Sequence, residues 1–266
     1  MKNDIMHILL LLLWMHLSCT RNDDPATLKM DEGRTLKEAP YNIEMIDLPS
    51  GTVRMEKTYA TFHVMDVRIE GFYIGKYEVT QKQWQAVMGA NPSDVKGDDY
   101  PVTNVSWYDA LEFVKKLSAE TGHTYRLPTE FEWEYACCAG TTTDYYFGND
   151  TSLIGLYEWW KRNSDSKPHP VGLKKPNPWN LHDMNGNVNE LTATYFDPQP
   201  FYREHPDDGR EFFNYRIVRG SSFLHGRTDH FRIDYQHAYS AESQRNYLGF
   251  RVVREKEPVT EQGKES

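Results

Sequence analysis

Apolar residues in the body of this chain recur in blocks, and the blocks are separated by hydroxyl residues and glycines. Ala110, Phe113, Val114 and Leu117 repeat at the three- and four-residue spacing of one helix face. Ser106 stands where an N-cap belongs, Asp109 lies near the positive end, and Gly122 supplies the stop. Thr80 predicts a second helix running to Met88, with Gln83 as its capping-box partner. Thr129 predicts a third from Glu130 to about Ala139, with Glu132 in the same relation. Met45–Leu48 reads as a strand, Pro49–Gly51 as a turn and Val53–Met55 as a second strand. Arg68–Val79 alternates like a strand and is rich in aromatics. From Thr141 to Arg216 the pattern dissolves into Gly, Pro, Asn, Asp and Trp, which predicts long loops around an aromatic core. The class is mixed α+β, in one body from residue 41 to 255 without an internal repeat or a dividing linker.

The N-terminus follows a different pattern. Ile5–Trp14 is mostly Leu and Ile, shorter than the roughly 20 apolar residues a spanning helix needs. Ser18 before Cys19 resembles a bacterial lipoprotein cleavage site, with residues 1–18 as signal peptide and Cys19 lipidated. His16 departs from the aliphatic residue usual there, and an ordinary secretory signal peptide is the alternative. Residues 19–40 read as the lipidated cysteine and a polar tether, and 256–266 as a disordered tail. The expected location is the bacterial cell envelope, as an outer-membrane lipoprotein. The acids Asp23 and Asp24 just after Cys19 resemble surface-export signals.

A formal net charge of −9 argues against broad binding to nucleic acid or anionic lipid. Aromatics at 14% supply material for a core. Cys137 and Cys138 are neighbours on a helix, point about 100° apart and are not suited to pair with one another, so they read as buried thiols packing as small hydrophobes. Arg251, inside an apolar stretch, needs a partner if buried. The best metal candidate is Asp183–Glu190: two carboxylates bracket Gly186, whose turn lets carbonyls face inward, and calcium prefers six to eight oxygens. A polar turn held by its own hydrogen bonds is the alternative.

Several segments, in order, resemble the formylglycine-generating enzymes, also called sulfatase-modifying factors. They are Tyr77–Trp84, Tyr100–Ala110, Arg126–Ala136, His182–Leu191, Val218–Arg232 and Leu248–Val253. The resemblance implies a variant of the C-type-lectin architecture with much irregular structure. It implies calcium ligands from the Asp183 and Glu190 side chains and the Gly186 and Val188 carbonyls.

The same resemblance shows what is missing. Catalytic members carry two cysteines, five residues apart, where this chain has His225 and His230. A family tryptophan is replaced by Asn189, while Ser222, Arg219 and Gly220 match. The family reaction uses copper held by two thiolates, and copper(I) is soft, so copper is not expected here. Any chemistry would fall to His225, His230, Ser222 and Asn189, with His237 as a further imidazole, and structural histidines are the simpler reading.

The expected function is a membrane-anchored, non-catalytic module that binds a protein, peptide or glycan, with loops in 141–216 presented to it. Envelope assembly follows by analogy with lipoproteins of gliding and secretion machineries that carry this domain without the cysteines. The alternative is an atypical formylglycine-generating oxidase or a histidine-metal-dependent oxygenase.

Overall fold

The computed structural model describes residues 35–38, 40–57, 63–196 and 214–257. The expected signal peptide, Cys19 and the expected tether up to residue 34 lie outside the described residues. Four helices are present among those described: α1 (Gln81–Met88), α2 (Trp107–Thr121), α3 (Glu130–Cys138) and α4 (Ile154–Tyr157). The first three start at Thr80, Ser106 and Thr129, each with a complete capping box. Gly89 (φ 86°) and Gly122 (φ 75°) close α1 and α2 in the left-handed region that favours glycine. α3 ends on Ala139 at φ 48°, with Gly140 following at φ 81°.

The strands are β1 (Thr35–Glu38), β2 (Ile43–Leu48), β3 (Gly51–Lys57), β4 (His63–Ile69), β5 (Phe72–Gly75), β6 (Tyr125–Arg126), β7 (Asn189–Tyr195), β8 (Tyr215–Arg219), β9 (Gln236–Ser240), β10 (Leu248–Gly249) and β11 (Val253–Arg254). One sheet has the order β1-β2-β5-β11-β6, a second β10-β7-β8-β9, and β3-β4 form a separate ribbon. All pairs are antiparallel except β10 with β7.

Three expectations shift. β2 and β3 are joined by the anticipated turn but belong to different sheets, because β2 takes β1 and β5 as neighbours while β3 takes β4. The alternating run at 68–79 is divided at Glu70-Gly71, where the chain leaves the ribbon and enters the five-stranded sheet as β5. The tether ends earlier than residue 40, since Thr35–Glu38 pairs along β2. At the other end, Lys256 is tied down by Asp47 at 2.5 Å and by the Leu48 carbonyl at 3.1 Å.

Two main apolar clusters fill the body. One gathers Ile46, Leu48, Phe72, Ile74, Trp133, Tyr146 and Trp179, which carries the aromatic core expected of the 141–216 region. The other holds the α2 face: Phe113 stacks on Trp84 with ring centroids 5.4 Å apart, and Phe250 meets Phe113 edge-on. Fully burying side chains such as Phe113 and Leu117 contributes roughly 1.5–3 kcal/mol each. Cys137 and Cys138 are both buried, Cys137 as a free thiol.

Candidate functional site

The end of β7, the turn after β8 and the loop leading to β9 meet over α3. Asn189 opens β7 opposite Leu248 of β10, fully buried. Its Nδ2 donates to the Gly220 carbonyl at 2.9 Å, and its backbone N–H donates to Tyr247 O at 2.8 Å. Gly220 has φ 67°, and a Cβ there would lie 2.9 Å from the Met184 carbonyl, so both conformation and space demand glycine. Ser222 is also fully buried.

His225 and His230 converge, and His237 on β9 joins them. Ring centroids are 5.0 Å apart for His225 and His230, 5.3 Å for His225 and His237, and 6.5 Å for His230 and His237. His225 Nδ1 accepts the Ser222 backbone N–H at 3.0 Å, which leaves its ring proton on Nε2, facing His237 Nε2 at 3.3 Å. His230 lies stacked on Tyr235, centroids 4.6 Å apart. Burial, then the neighbouring His237 and His230, push His225 down to about 4. Burial also lowers His230 and His237. The trio is therefore neutral near pH 7, a half-buried aromatic cluster rather than a charged one. Among the described residues no group of three His, Cys, Asp or Glu is disposed to hold a metal.

Beneath this cluster Arg219 Nη2 meets Glu134 of α3 at 2.5 Å and donates to Ile233 O at 2.7 Å, bracing the loop that carries His230. Burial raises Glu134 to about 7 against the opposing pull of Arg219.

The Asp183–Glu190 loop closes on a guanidinium. Arg251, completely buried, donates from Nε and Nη2 to both Glu190 oxygens at 2.7–2.9 Å, and to the Gly75 and His182 carbonyls at 3.0 and 2.9 Å. Trp133 Nε1 adds a bond to Glu190 Oε2 at 2.7 Å. The partner expected for Arg251 is thus Glu190. Of the four expected calcium donors, Glu190 does not fit, because both its oxygens are spent on Arg251 and Trp133. Asp183 accepts the Gly172 N–H on Oδ2 at 2.7 Å and keeps Oδ1 buried without a partner. The Val188 N–H is held by Glu78 Oε1 at 3.1 Å, and Asn187 Nδ2 by Glu78 Oε2 at 2.7 Å. Gly186 (φ 83°) is fixed by space, since a Cβ would meet the Trp159 carbonyl at 2.7 Å. At its Glu190 end the loop is braced by an internal cation, Arg251.

Sequence reading missed Glu78 and Glu158. Both are buried carboxylates that burial raises well above their ordinary range, and neither sits in a spacing that announces chemistry.

A mixed α+β body, a glycine-bearing turn after β8 and an arginine-closed turn before β7 together define a formylglycine-generating-type scaffold. The model of the sulfatase-modifying factor enzyme 1-like domain matches residues 33–256, and the chain belongs to that family. It is 28% identical to the chaperone protein LppX of Paenibacillus barcinonensis, over 80% of this chain and 90% of that one. It is 30% identical to the formylglycine-generating enzyme of Streptomyces coelicolor over 64% of this chain, and spans 57% of that enzyme's length. Among solved structures, Treponema denticola variable protein 1 superposes with a TM-score of 0.74 at 26% identity, covering 85% of this chain and all of that one. PvdO from Pseudomonas aeruginosa gives 0.71 at 24% identity with the same coverage, a likeness of fold.

Proposed function

We propose that this chain is an envelope-anchored, non-catalytic member of the family that binds other polypeptides and acts as a chaperone or assembly factor. The observation that carries the reading is the packing of His225 and His230, the residues the resemblance sets where the family carries its thiols, with His237 and Tyr235. Imidazoles lack the soft sulfur donors that copper(I) requires and cannot undergo thiol exchange. Asn189 and Ser222 are buried, and Asn189 Nδ2 and Ser222 Oγ hold the turn. A relative of which the chain covers 90% is named a chaperone protein, which supports a role in handling other proteins. Among the described residues no helix is long and apolar enough to cross a membrane. The anchor in this reading is the lipid on Cys19, supported by the Ser18-Cys19 pattern after the apolar run.

Light scattering from a chemically unfolded exported protein tests the chaperone role. A stoichiometric amount of this chain is expected to suppress the aggregation, and unchanged scattering would refute it. Mass measurement of the mature N-terminus tests the anchor. A diacylglyceryl thioether on Cys19 is expected, and a Cys19 sulfur found in a disulfide would overturn it, since one sulfur cannot serve both.

The second reading, a histidine-dependent oxygenase, draws on the 3.3 Å approach of His225 to His237. Metal analysis of purified protein decides it, through a transition metal that is lost in His225→Ala.

A further inference from the structure

Residues 154–175 form a compact module on the surface. Asn163 Nδ2 ties the turn to the Gly155 and Glu158 carbonyls at 3.4 and 2.9 Å. The Lys175 N–H returns to Leu156 O at 3.1 Å, and Lys174 Nζ to Gly155 O at 2.5 Å while lying over the Trp159 ring. The result sets Leu156 (50% exposed) beside the 173–175 segment, where Leu173 is 62% exposed. These are two of the most exposed large apolar side chains among the described residues.

The same module carries Lys161, Arg162, Lys167 and Lys175, all exposed, against a single exposed acid, Asp165. Several charged groups elsewhere on the surface are paired: Lys37 with Glu44, Lys82 with Asp98, Lys116 with Glu112, Arg227 with Asp229. No ion pair to a described residue holds any of the four exposed cations of this module. In a chain of net charge −9 this is a local reversal of sign, and it coincides with protruding leucines. Arg162 rests over the Trp160 ring at 4.8 Å and Lys175 near that of Tyr157 at 5.7 Å, so their stems lie on apolar ground while the charged ends stay in water.

We propose that this face docks onto an anionic phospholipid surface, with Leu156 and Leu173 entering the headgroup boundary and Lys161, Arg162, Lys167 and Lys175 over the phosphates. Cations close to such a surface each contribute to binding, and a few apolar side chains add burial. An acidic polypeptide would match the charges but would leave the leucines unused unless it also offered an apolar pocket. The reading is independent of the lipid on Cys19. It concerns the orientation of the body against a bilayer, and it holds or fails whether or not that cysteine is acylated.

The test uses the full chain carrying Cys19→Ala, sedimented with vesicles of phosphatidylcholine alone or with one third phosphatidylglycerol. Taking the ratio of the two partition coefficients cancels any contribution of the apolar Ile5–Trp14 segment. The ratio is expected to exceed about tenfold at low salt and to fall steeply with added salt. Lys161→Glu/Lys175→Glu is expected to bring it near one, and Leu156→Ser/Leu173→Ser to reduce binding to both vesicle types. Lys115→Glu, an exposed lysine on α2, is expected to leave it unchanged. Thermal midpoints of all variants matching the parent would confirm that folding is intact. A parent ratio near one, or equal effects of Lys115→Glu and the module variant, would overturn the proposal. Retention on immobilised acidic peptide with no vesicle preference would do the same and assign the face to protein.

Discussion

Replacing Arg251 by methionine probes the centre of the fold. The guanidinium is completely buried and makes three bonds to Glu190 of 2.7–2.9 Å plus two short bonds to backbone carbonyls. Methionine fills similar volume, so the loss is electrostatic. It strands a Glu190 carboxylate that is 0% exposed, near two further buried acids, Glu78 and Asp183. Breaking a buried pair from one side costs about 3–5 kcal/mol. For a body of this size each kcal/mol moves the thermal midpoint by roughly 2–4 °C, so a drop of about 6–20 °C is expected. Calorimetry and urea titration at pH 7 give both quantities. The double variant Arg251→Met/Glu190→Gln removes the stranded charge and is expected to recover about 1–3 kcal/mol relative to the sum of the single changes. A single variant costing less than about 1 kcal/mol, or a pair of strictly additive changes, would refute the argument that Arg251 neutralises this loop.

Other outcomes follow from the same geometry. Chelating divalent cations is expected to leave the midpoint within about 1 °C, since Glu190 is committed to Arg251; a larger fall restored only by calcium would return Asp183 and Glu190 to the role of ligands. Gly220→Ala is expected to cost at least about 2 kcal/mol in denaturant titration, because a Cβ would sit 2.9 Å from a backbone carbonyl at φ 67°; a cost near zero would show that the turn relaxes freely. His225 is pushed down from 6.5 to about 4 in the folded state, so its contribution is fully present above pH 6.5 and is lost as pH falls toward 4. Discounting for solvent access, His225→Gln is expected to flatten the fall in stability over that window by roughly 1–2 kcal/mol, and parallel curves would contradict this.

The helices were legible because their caps are local. Thr80, Ser106 and Thr129 each act on a backbone N–H three residues away, and that spacing is written in the chain. Sheet membership was not legible, because β2 chooses partners from residues 35–38 and 72–75 rather than from its neighbour across the Pro49–Gly51 turn. β7 was hidden for a related reason: its first four residues, Asn189–Thr192, are all buried, so no alternation marks them as a strand. The convergence of His225 and His230 was not legible, because it depends on the fold of the loop between β8 and β9, and the place of His237 depended on the register of β9 against β8, His237 opposite Val218. The commitment of Glu190 was not legible because its partner, Arg251, lies 61 residues away in sequence.

The central claim is that the scaffold persists without the thiol-dependent oxidation of its catalytic relatives. Its most direct test is the mass of a cysteine-type sulfatase peptide incubated with the purified chain, copper(I), a thiol reductant and oxygen. The peptide is expected to keep its cysteine, with no aldehyde trapped by hydrazide reagents. Aldehyde formed in proportion to this chain, and abolished in His225→Ala/His230→Ala, would contradict the account.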